Sequence, residues 1–440
     1  METEKVLHLG IPVSENYTLT TNGQEVHVYH TKAADFAVIC FSGVADITVK
    51  TKQKFDNVTV RPLRGDYNVR TDADKNEIKL SLLSKHRVTV EPYGLENPLF
   101  ILCAEYIEKP ANATHVFERG TLSEVGQVCL KSGDCVYIEE GAVVVGCFFA
   151  DGAKDITITG NGIIWGLPLL GDKTIKRPSP IMPIECENVK ISGVTSAEAA
   201  TWNVVPTACK NVTINGINII ASKISSDGID VVGSENVNIS HCFVCVNDDC
   251  IAIKAVGKYF DQRGTRNVKN VHSSDCVFWK LPCGNAVEIG YETSCDEISN
   301  IIFEDIDVVH SQFEGWQSGG VFSIHNGDRA HVRDITYRNF YVEDAHEKLV
   351  DFKIFSSKYS TDKQRGRISD VIIDNIYVLG DVLPPSILRG WEAEDRNSEP
   401  PFELVENVKI SNLYLNGKKI NGRMNAHFIT ELSRNVTFEE

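Results

Sequence analysis

The chain has 440 residues, a mass of 48.8 kDa and a formal net charge of −16, from 44 Lys and Arg against 60 Asp and Glu. An apolar fraction of 42% predicts a globular protein with a sizeable core and excludes a disordered one. The negative charge disfavours nucleic acid and anionic membrane surfaces as partners. No stretch reaches the ~18 apolar residues of a membrane span.

The opening residues METEKVLHLGIPVSENY lack the basic region and apolar run of a secretory signal. We therefore expect a cytoplasmic protein, or a secreted one whose signal has been removed. The 13 cysteines are an odd number without a disulfide framework, so we expect most to be reduced and buried. We predict no cofactor, and a monomer or a weak oligomer.

Residues 1–112 are predicted to form a small β-sandwich domain. Short alternating runs such as EVHVYH, FAVICFSG, EIKLSLLS and HRVTVEPY are separated by turn residues, which is typical of antiparallel strands. The segment EKPANATHVFERG then reads as a connection. We place the domain boundary there, with a second domain over residues 113–440.

The second domain is predicted to be a parallel β-helix, which makes the whole chain all-β. A polar residue followed by Val or Ile, any residue, and again Ile or Val recurs at nine positions. The intervals between them are 33, 23, 25, 31, 30, 34, 36 and 40 residues. A minimum near 23 with variable insertions suits one three-stranded coil plus loops. The repeats begin at Asp155, Asn188, Asn211, Asn236, Asn267, Glu297, His331, Arg367 and Asn407.

The polar residue that opens each repeat has a predicted structural role. Asparagine tolerates the left-handed backbone conformation, and its amide can stack on the asparagine of the next coil. Segments 255–266 and 380–403 are read as insertions that build the walls of a groove.

Three carboxylates stand out in the central coils: Asp227 in SSDGID, and the adjacent pair Asp248 and Asp249 in VNDDC. The 21-residue interval from Asp227 to Asp248 is close to one coil, so we expect these residues to stack. Neighbouring strand residues point to opposite faces, so both Asp248 and Asp249 reach solvent only at a bend. Clustered acids raise at least one pKa. A protonated acid beside a carboxylate base is the equipment for glycoside hydrolysis.

At these residues the sequence resembles the polygalacturonases of glycoside hydrolase family 28. It is also similar to the dextranases and isopullulanases of family 49, in which a β-sandwich precedes a right-handed parallel β-helix. The resemblance covers roughly residues 140–380, and its DG and NDD motifs carry it. It implies an inverting hydrolase of α-glycosidic bonds with Asp248 as general acid and Asp227 and Asp249 acting on water. Lys254 is then expected to pair with these acids.

Two departures from the family 28 pattern bear on the substrate. Asn285 stands where the family has the histidine of a Gly-His-Gly segment. The strand that should read Arg-Ile-Lys reads Asp351-Phe352-Lys353, so Lys353 is retained and the arginine is absent. Arginine alone offers a planar fork to a carboxylate. We therefore expect a neutral or decorated polysaccharide or oligosaccharide.

Further substrate-binding candidates lie on neighbouring coils. Tryptophan rings stack on sugars but more often pack in a core. Polar residues near the acids are either subsite residues or structural hydrogen-bond partners. The candidates are Trp202, Trp279, Trp316, Trp391, Glu288, Tyr291, His310, His325 and Asn326, with Asn285, Glu288 and Lys353 ranked first.

Two other functions stay open on the sequence. A polysaccharide lyase on this fold would use an acid cluster of the calcium-binding kind and a Lys or Arg base. A glycan-binding solenoid without catalysis would retain the three acids as relics. Products with an unsaturated ring, or loss of activity with a chelator, would indicate the lyase, and binding without turnover would indicate the solenoid. No sequence segment has the spacing of a standard calcium loop.

Overall fold

The computed structural model describes residues 6–313, 319–393 and 401–439. Within these ranges the regular structure is strand, apart from two 3₁₀ turns at Leu167–Leu169 and Arg263–Thr265. The described part of the chain contains no helix long and apolar enough to cross a membrane. The all-β prediction is confirmed.

Two five-stranded sheets face each other in the N-terminal region, as the alternating runs predicted. Buried side chains from both, such as Leu19, Ile78 and Leu80 from one sheet and Val90 and Ile101 from the other, share one apolar core. In spatial order the first sheet comprises Gln24–Val26, Tyr17–Thr21, Val44–Thr51, Glu77–Leu83 and Arg70–Asp72. The second comprises Tyr29–His30, Asp35–Cys40, Leu99–Ala104, Arg87–Glu91 and Thr59–Arg61, and a hairpin of Leu7–His8 and Ile11–Pro12 precedes both.

The described residues that follow form a right-handed parallel β-helix. Among them, the long sheet has 21 strands, most of them parallel. They are His115–Phe117, Leu122–Leu130, Cys135–Ile138, Val143–Asp151, Lys154–Gly160, Ile163–Trp165, Ile181–Ile184, Glu187–Ser192, Thr195–Ala197, Lys210–Asn215, Asn218–Ala221, Glu235–Ser240, Phe243–Val246, Val268–Ser274, Val277–Lys280, Glu297–Ser311, His331–Val342, Arg367–Val378, Val405–Leu415, Lys418–Lys419 and Ser433–Phe438.

A seven-stranded parallel sheet forms another side of the coil and carries the candidate site. Its strands are Ile229–Val232, Ile251–Ala255, Val287–Thr293, Gly320–Asn326, Lys348–Ile354, Ser386–Arg389 and Phe428–Glu431, and a short hairpin pairs Trp391–Glu392 with Phe402–Glu403. Alternate residues of these strands, such as Ile229, Val231, Ile251 and Ile253, face the apolar core inside the coil. The residues between them face outward.

The predicted asparagine ladder is present. Asn188, Asn211 and Asn236 have φ between 57° and 59°, and each amide nitrogen donates to the residue one coil earlier, at 2.9 to 3.1 Å. The ladder then continues through Asn270 and Asn300 rather than through the predicted Asn267 and Glu297. Asn267 instead accepts hydrogen bonds from two backbone amides of the next coil.

The sandwich packs against one flank of the β-helix. Phe100 and Trp279 have ring centroids 5.3 Å apart inside a mixed apolar cluster. Arg64 donates to both carboxylate oxygens of Asp307, at 2.6 and 2.9 Å. The last sandwich strand ends at Ala104 and the first strand of the long sheet begins at His115, and the boundary at residue 112 remains our proposal.

Candidate active site

The three predicted acids lie together in turns at one edge of the seven-stranded sheet. Asp227 lies just before the strand Ile229–Val232, and Asp248 and Asp249 form the bend before Ile251–Ala255. The bend frees the two neighbouring side chains from strand alternation, as the sequence required. Carboxylate oxygens from all three lie within 4.8 Å of one another.

The coil register differs by one residue from the prediction. Ile229 pairs with Ile251, and the backbone N–H of Gly228 donates to the Asp249 carbonyl at 2.8 Å. The residue that lies one coil above Asp227 is therefore Asp249. Asp248 was predicted to be there, but it is one position to the side, and its Oδ2 accepts a hydrogen bond from the backbone N–H of Ser225 at 3.0 Å.

A buried ammonium holds this acid cluster together. Lys254 Nζ lies 2.7 Å from Asp227, 3.0 Å from Asp230 and 3.6 Å from Asp249, so its predicted pairing with the acids is present. The Trp202 ring centroid lies 4.2 Å from the same nitrogen. Burial opposes the charge of Lys254, but the carboxylates outweigh that effect and raise its pKa. Lys254 therefore stays charged.

One ammonium cannot balance four carboxyl groups, so some of them hold protons. Burial raises the pKa of Asp248 well above its usual value, and the carboxylates of Asp227 and Asp249 raise it further. Burial also raises the pKa of Asp249 to about 7, against the opposing effect of Lys254. Asp230, which is fully buried, has its pKa raised by burial and then by Asp227. The cluster thus contains a proton donor and a base that loses its proton near neutrality.

Asn285 lies one coil above Asp249 and holds its carboxylate. Its backbone N–H and its side-chain Nδ2 both donate to Asp249 Oδ1, at 3.0 and 2.8 Å. Its own Oδ1 accepts hydrogen bonds from Gly320 N and Ser323 Oγ, at 3.0 and 2.7 Å. Because Oδ1 is held on the other side, the amide presents its Nδ2 to Asp249.

A cavity of about 280 Å³ opens above the acids. Trp202, Lys254, Asn285 and Tyr291 all line it, so four of the predicted substrate-binding residues meet the three acids here. The other lining residues are Arg177, Thr201, Ile224, Ser225, Tyr259, Cys283, Gly284, Glu292 and Tyr359.

Glu288 and Lys353 do not line this cavity. Glu288 is fully buried, and its Oε2 lies 2.8 Å from Nδ1 of His325. The other ring nitrogen of His325 lies 3.3 Å from Asp351, which in turn lies 2.8 Å from Lys353 Nζ. These residues form a second polar cluster on later coils of the same sheet face.

Several other candidates lie away from the acids. His310 lies at the sandwich contact, where its nitrogens are 3.1 Å from Glu91 and 2.6 Å from Asp344. Trp279 is buried in the same contact, and Trp391 packs against the coil core. Asn326 is buried and donates to the carbonyl of Ala330 at 2.8 Å. Trp316 lies outside the described residues.

The sequence reasoning missed Asp230 and Arg177. Asp230 had a detectable signal, since it is a lone acid between inward-facing Ile229 and Val231. Arg177 had none, because it lies in an irregular segment that the fold brings to the cavity. Its guanidinium carbon lies 4.2 Å from the Trp202 ring centroid and 4.5 Å from that of Tyr259.

Comparison with known proteins identifies the family. The sequence profile of Glycosyl hydrolases family 28 matches residues 134–381, more than half of the chain. The chain belongs to this family. A protein named "Probable polygalacturonase" from Vitis vinifera is 29% identical over 189 residues, 41% of this chain and 36% of that protein. Another from Arabidopsis thaliana is 25% identical over 239 residues, 54% of this chain and 46% of that protein. The matched part thus spans less than half of either relative.

Solved structures share the fold over nearly the whole chain. Dex49A from Penicillium minioluteum has a TM-score of 0.62 at 12% identity, covering 95% of this chain and 91% of that one. The family 28 exopolygalacturonase of Yersinia enterocolitica has a TM-score of 0.55 at 14% identity, covering 96% and 94%. This family 28 chain thus has the predicted arrangement of a sandwich followed by a right-handed β-helix.

Proposed function

We propose that this protein hydrolyses α-glycosidic bonds of a polysaccharide or oligosaccharide with inversion. Asp248 acts as general acid, and Asp227 and Asp249 orient and deprotonate the attacking water. The observation that carries the proposal is that the carboxyl groups of Asp227, Asp248 and Asp249 lie together at one cavity beside the ammonium of Lys254. Burial raises the pKa of Asp248 well above its usual value and that of Asp249 to about 7, so the cluster can hold a proton near neutrality.

In the proposed reaction each proton has a donor and an acceptor. Asp248 gives its proton to the glycosidic oxygen as the bond from that oxygen to the anomeric carbon breaks. Water attacks the anomeric carbon and passes a proton to Asp249. Asp227 Oδ1 accepts no hydrogen bond from the described residues, so it is available to orient that water. Lys254 Nζ donates to Asp227 Oδ2 at 2.7 Å and holds the carboxyl group in place.

The proposed inversion rests on the family 28 resemblance and not on the distance between the acid and the base. Inverting enzymes generally hold acid and base roughly 6.5 to 9.5 Å apart, leaving room for water. Here carboxylate oxygens of the three acids lie within 4.8 Å of one another. The stereochemistry of the first product is therefore a separate test.

Arg177 argues for an anionic sugar and against the neutral glycan that the sequence predicted. Its guanidinium is stacked on Trp202 and Tyr259 at the cavity wall, and its buried Nε has no hydrogen-bond partner among the described residues. A stacked, planar guanidinium suits a carboxylate. The names of the relatives, polygalacturonases, support a substrate containing galacturonate.

Lys254 disfavours the lyase alternative. The three acids are close enough to ligate a metal ion, but an ammonium already lies within 3.6 Å of Asp227 and Asp249. A divalent cation at the same carboxylates would be repelled by that charge. Calcium-dependent elimination therefore fits these residues less well than hydrolysis does.

The proposal is tested by incubating the purified protein with polygalacturonate, dextran and a neutral decorated glycan. We expect reducing sugar to be released fastest from polygalacturonate, and NMR of the first product to show the inverted anomer. The Arg177→Gln variant should lose most of its preference for the acidic glycan. An absorbing unsaturated product would favour the lyase, and binding without turnover on every glycan would favour the non-catalytic solenoid.

A further inference from the structure

A second cavity adjoins the cavity over the acids. Its volume is about 320 Å³, and Arg177 and Tyr259 line both cavities, so the two share a wall. A volume of roughly 300 Å³ is at the lower end of the range for small-molecule pockets. The second cavity is therefore large enough for about one sugar ring beside the site of the proposed hydrolysis.

The second cavity lies on the N-terminal side of the acids. Phe149 and Met182 line it, and they pair with each other on neighbouring coils. Ile181, next to Met182, is joined by bridges through one intervening coil to Ile229, which follows Asp227. These two coil steps correspond to roughly 10 Å at ~4.8 Å a step. A glycan chain that continues from the acids can therefore reach the second cavity with its next few sugars.

Basic side chains dominate the polar lining of the second cavity, in a chain whose formal net charge is −16. Among the described residues, the basic ones are Lys176, Arg177, Lys258 and Arg263, and the one acid is Asp261. Arg263 is already paired with Asp151 and Glu185, at 2.7 and 3.4 Å. Lys176, Arg177 and Lys258 have no ion pair within the described part of the chain. Three cationic groups thus border the second cavity without a protein anion to balance them.

Two of these cations are held on the same aromatic ring at the shared wall. The guanidinium carbon of Arg177 lies 4.5 Å from the Tyr259 ring centroid, and Lys258 Nζ lies 4.6 Å from it. The buried Nε of Arg177 has no hydrogen-bond partner among the described residues. The ring attracts both cations but does not neutralise them. Because like charges repel, an anion bound between them would lower the energy of this arrangement.

The loop that carries Lys258 and Tyr259 is fixed to the coil before any ligand binds. Its residues 255–266 end at the ion pairs of Arg263, and Arg266 also pairs with Glu185. Ion pairs at the base of a loop limit its movement. A ligand that meets positioned cations loses less free energy to ordering them.

From these observations we propose that the second cavity binds a further anionic sugar of the substrate, a uronate whose carboxylate lies near Lys176 and Lys258. This proposal rests on the proposed function and specifies its substrate class. The ammonium groups act as point charges toward the carboxylate, and an apolar face of the sugar ring packs against Phe149. The substrate is then an acidic glycan with one uronate over the acids and another in the second cavity.

The first experiment compares digalacturonate with hexagalacturonate as substrates. A disaccharide that spans the acids has one sugar on each side of the broken bond, so it leaves the second cavity empty. For Lys176→Ala with Lys258→Ala, we expect KM for hexagalacturonate to rise about three- to tenfold. The kcat for hexagalacturonate and both constants for digalacturonate should stay within about twofold of the unmodified protein.

Lys190→Ala with Lys418→Ala is the matched control. Both lysines are exposed, have no ion pair among the described residues and line neither of the two cavities, so this variant changes the net charge by the same amount. We expect its kinetic constants to be unchanged. An equal rise in KM for the two double variants, an equal effect on the two substrates, or no effect at all would overturn the proposal.

A binding measurement separates the second cavity from the hydrolysis. Asp248→Asn protein is titrated calorimetrically with hexagalacturonate and with its methyl-esterified, neutral form. We expect tighter binding of the acidic form, and a weaker preference for it once Lys176 and Lys258 are also replaced by alanine. An unchanged preference would overturn the proposal and leave the hydrolase intact. A lysine-dependent preference in a protein that hydrolyses no glycan would support the second cavity and overturn the proposed function instead.

Discussion

Two acid clusters share the outer face of one sheet and differ in charge balance. The cavity cluster comprises Asp227, Asp230, Asp248 and Asp249 around a single ammonium, Lys254. Burial raises the pKa of Asp248 and that of Asp230. Because one ammonium faces four carboxyl groups, the neighbouring acids raise both pKa values further.

The His325 cluster comprises Glu288, His325 and Asp351, all fully buried. Burial opposes protonation of His325, but the two carboxylates outweigh it and raise the pKa of its ring to about 9. His325 and the lysines lower the pKa of Asp351 despite its burial. The comparison shows that Asp351, which is paired with His325, Lys348 and Lys353, stays ionised although it is buried, whereas four carboxyl groups around one ammonium keep protons available for chemistry.

The largest expected effect is on activity in the cavity cluster. Asp248→Asn removes the proposed proton donor and should lower kcat by about 10²- to 10⁴-fold. The free energy of unfolding should change little, because the raised pKa of Asp248 keeps the replaced carboxyl group protonated and uncharged. Steady-state kinetics and urea unfolding measure both quantities. Full activity in a folded variant would show that Asp248 is not the acid.

A substitution in the His325 cluster should mainly change the free energy of unfolding. His325→Gln leaves Glu288 buried without the imidazolium, although Asp351 keeps Lys348 and Lys353, and it should reduce the free energy of unfolding by about 3–5 kcal/mol. His346→Gln is a matched control, since its exposed ring pairs with Asp344 at 2.7 Å and such pairs contribute about 0–1 kcal/mol. Equal urea midpoints for the two variants would contradict the assigned role of His325.

The pH dependence of stability separates the two clusters further. The pKa of His325 is raised from 6.5 to about 9 by folding, so its contribution is fully present below pH 6.5 and is lost as the pH rises through 9. The shift corresponds to on the order of 3 kcal/mol. Urea unfolding at pH 6 and pH 9 should show a decrease that His325→Gln reduces. If both proteins lose the same stability, the imidazolium is not the cause.

The smallest effect concerns the positioning of Asp249 by Asn285. Asn285→Ala removes one of two donors that lower the pKa of Asp249, so that pKa should rise above about 7. Since the proposed base, Asp249, must be unprotonated, activity at pH 6 should fall several-fold, with little change at pH 8. Ser323→Ala is the control, because it leaves the amide of Asn285 in place and should shift the profile less. An unshifted acid limb in Asn285→Ala would exclude this role.

The sequence by itself determined the β-helix, the three acids and the asparagine ladder. Each depends on local patterns that repeat with every coil: alternating Val and Ile for the core, asparagine for left-handed turns such as that of Asn211, and a bend at Asp248 and Asp249. These patterns act within about one turn of the coil, so they can be read along the chain.

Only the tertiary structure decided the register between coils, the residues that line the cavity and the balance of charge in the two clusters. Backbone pairing between coils placed Asp249, not Asp248, over Asp227. Contacts between segments far apart in the chain brought Arg177 and Tyr259 to the cavity and took His310 to the sandwich. Such contacts depend on insertion lengths and on packing between loops, for which no periodic signal exists in the sequence.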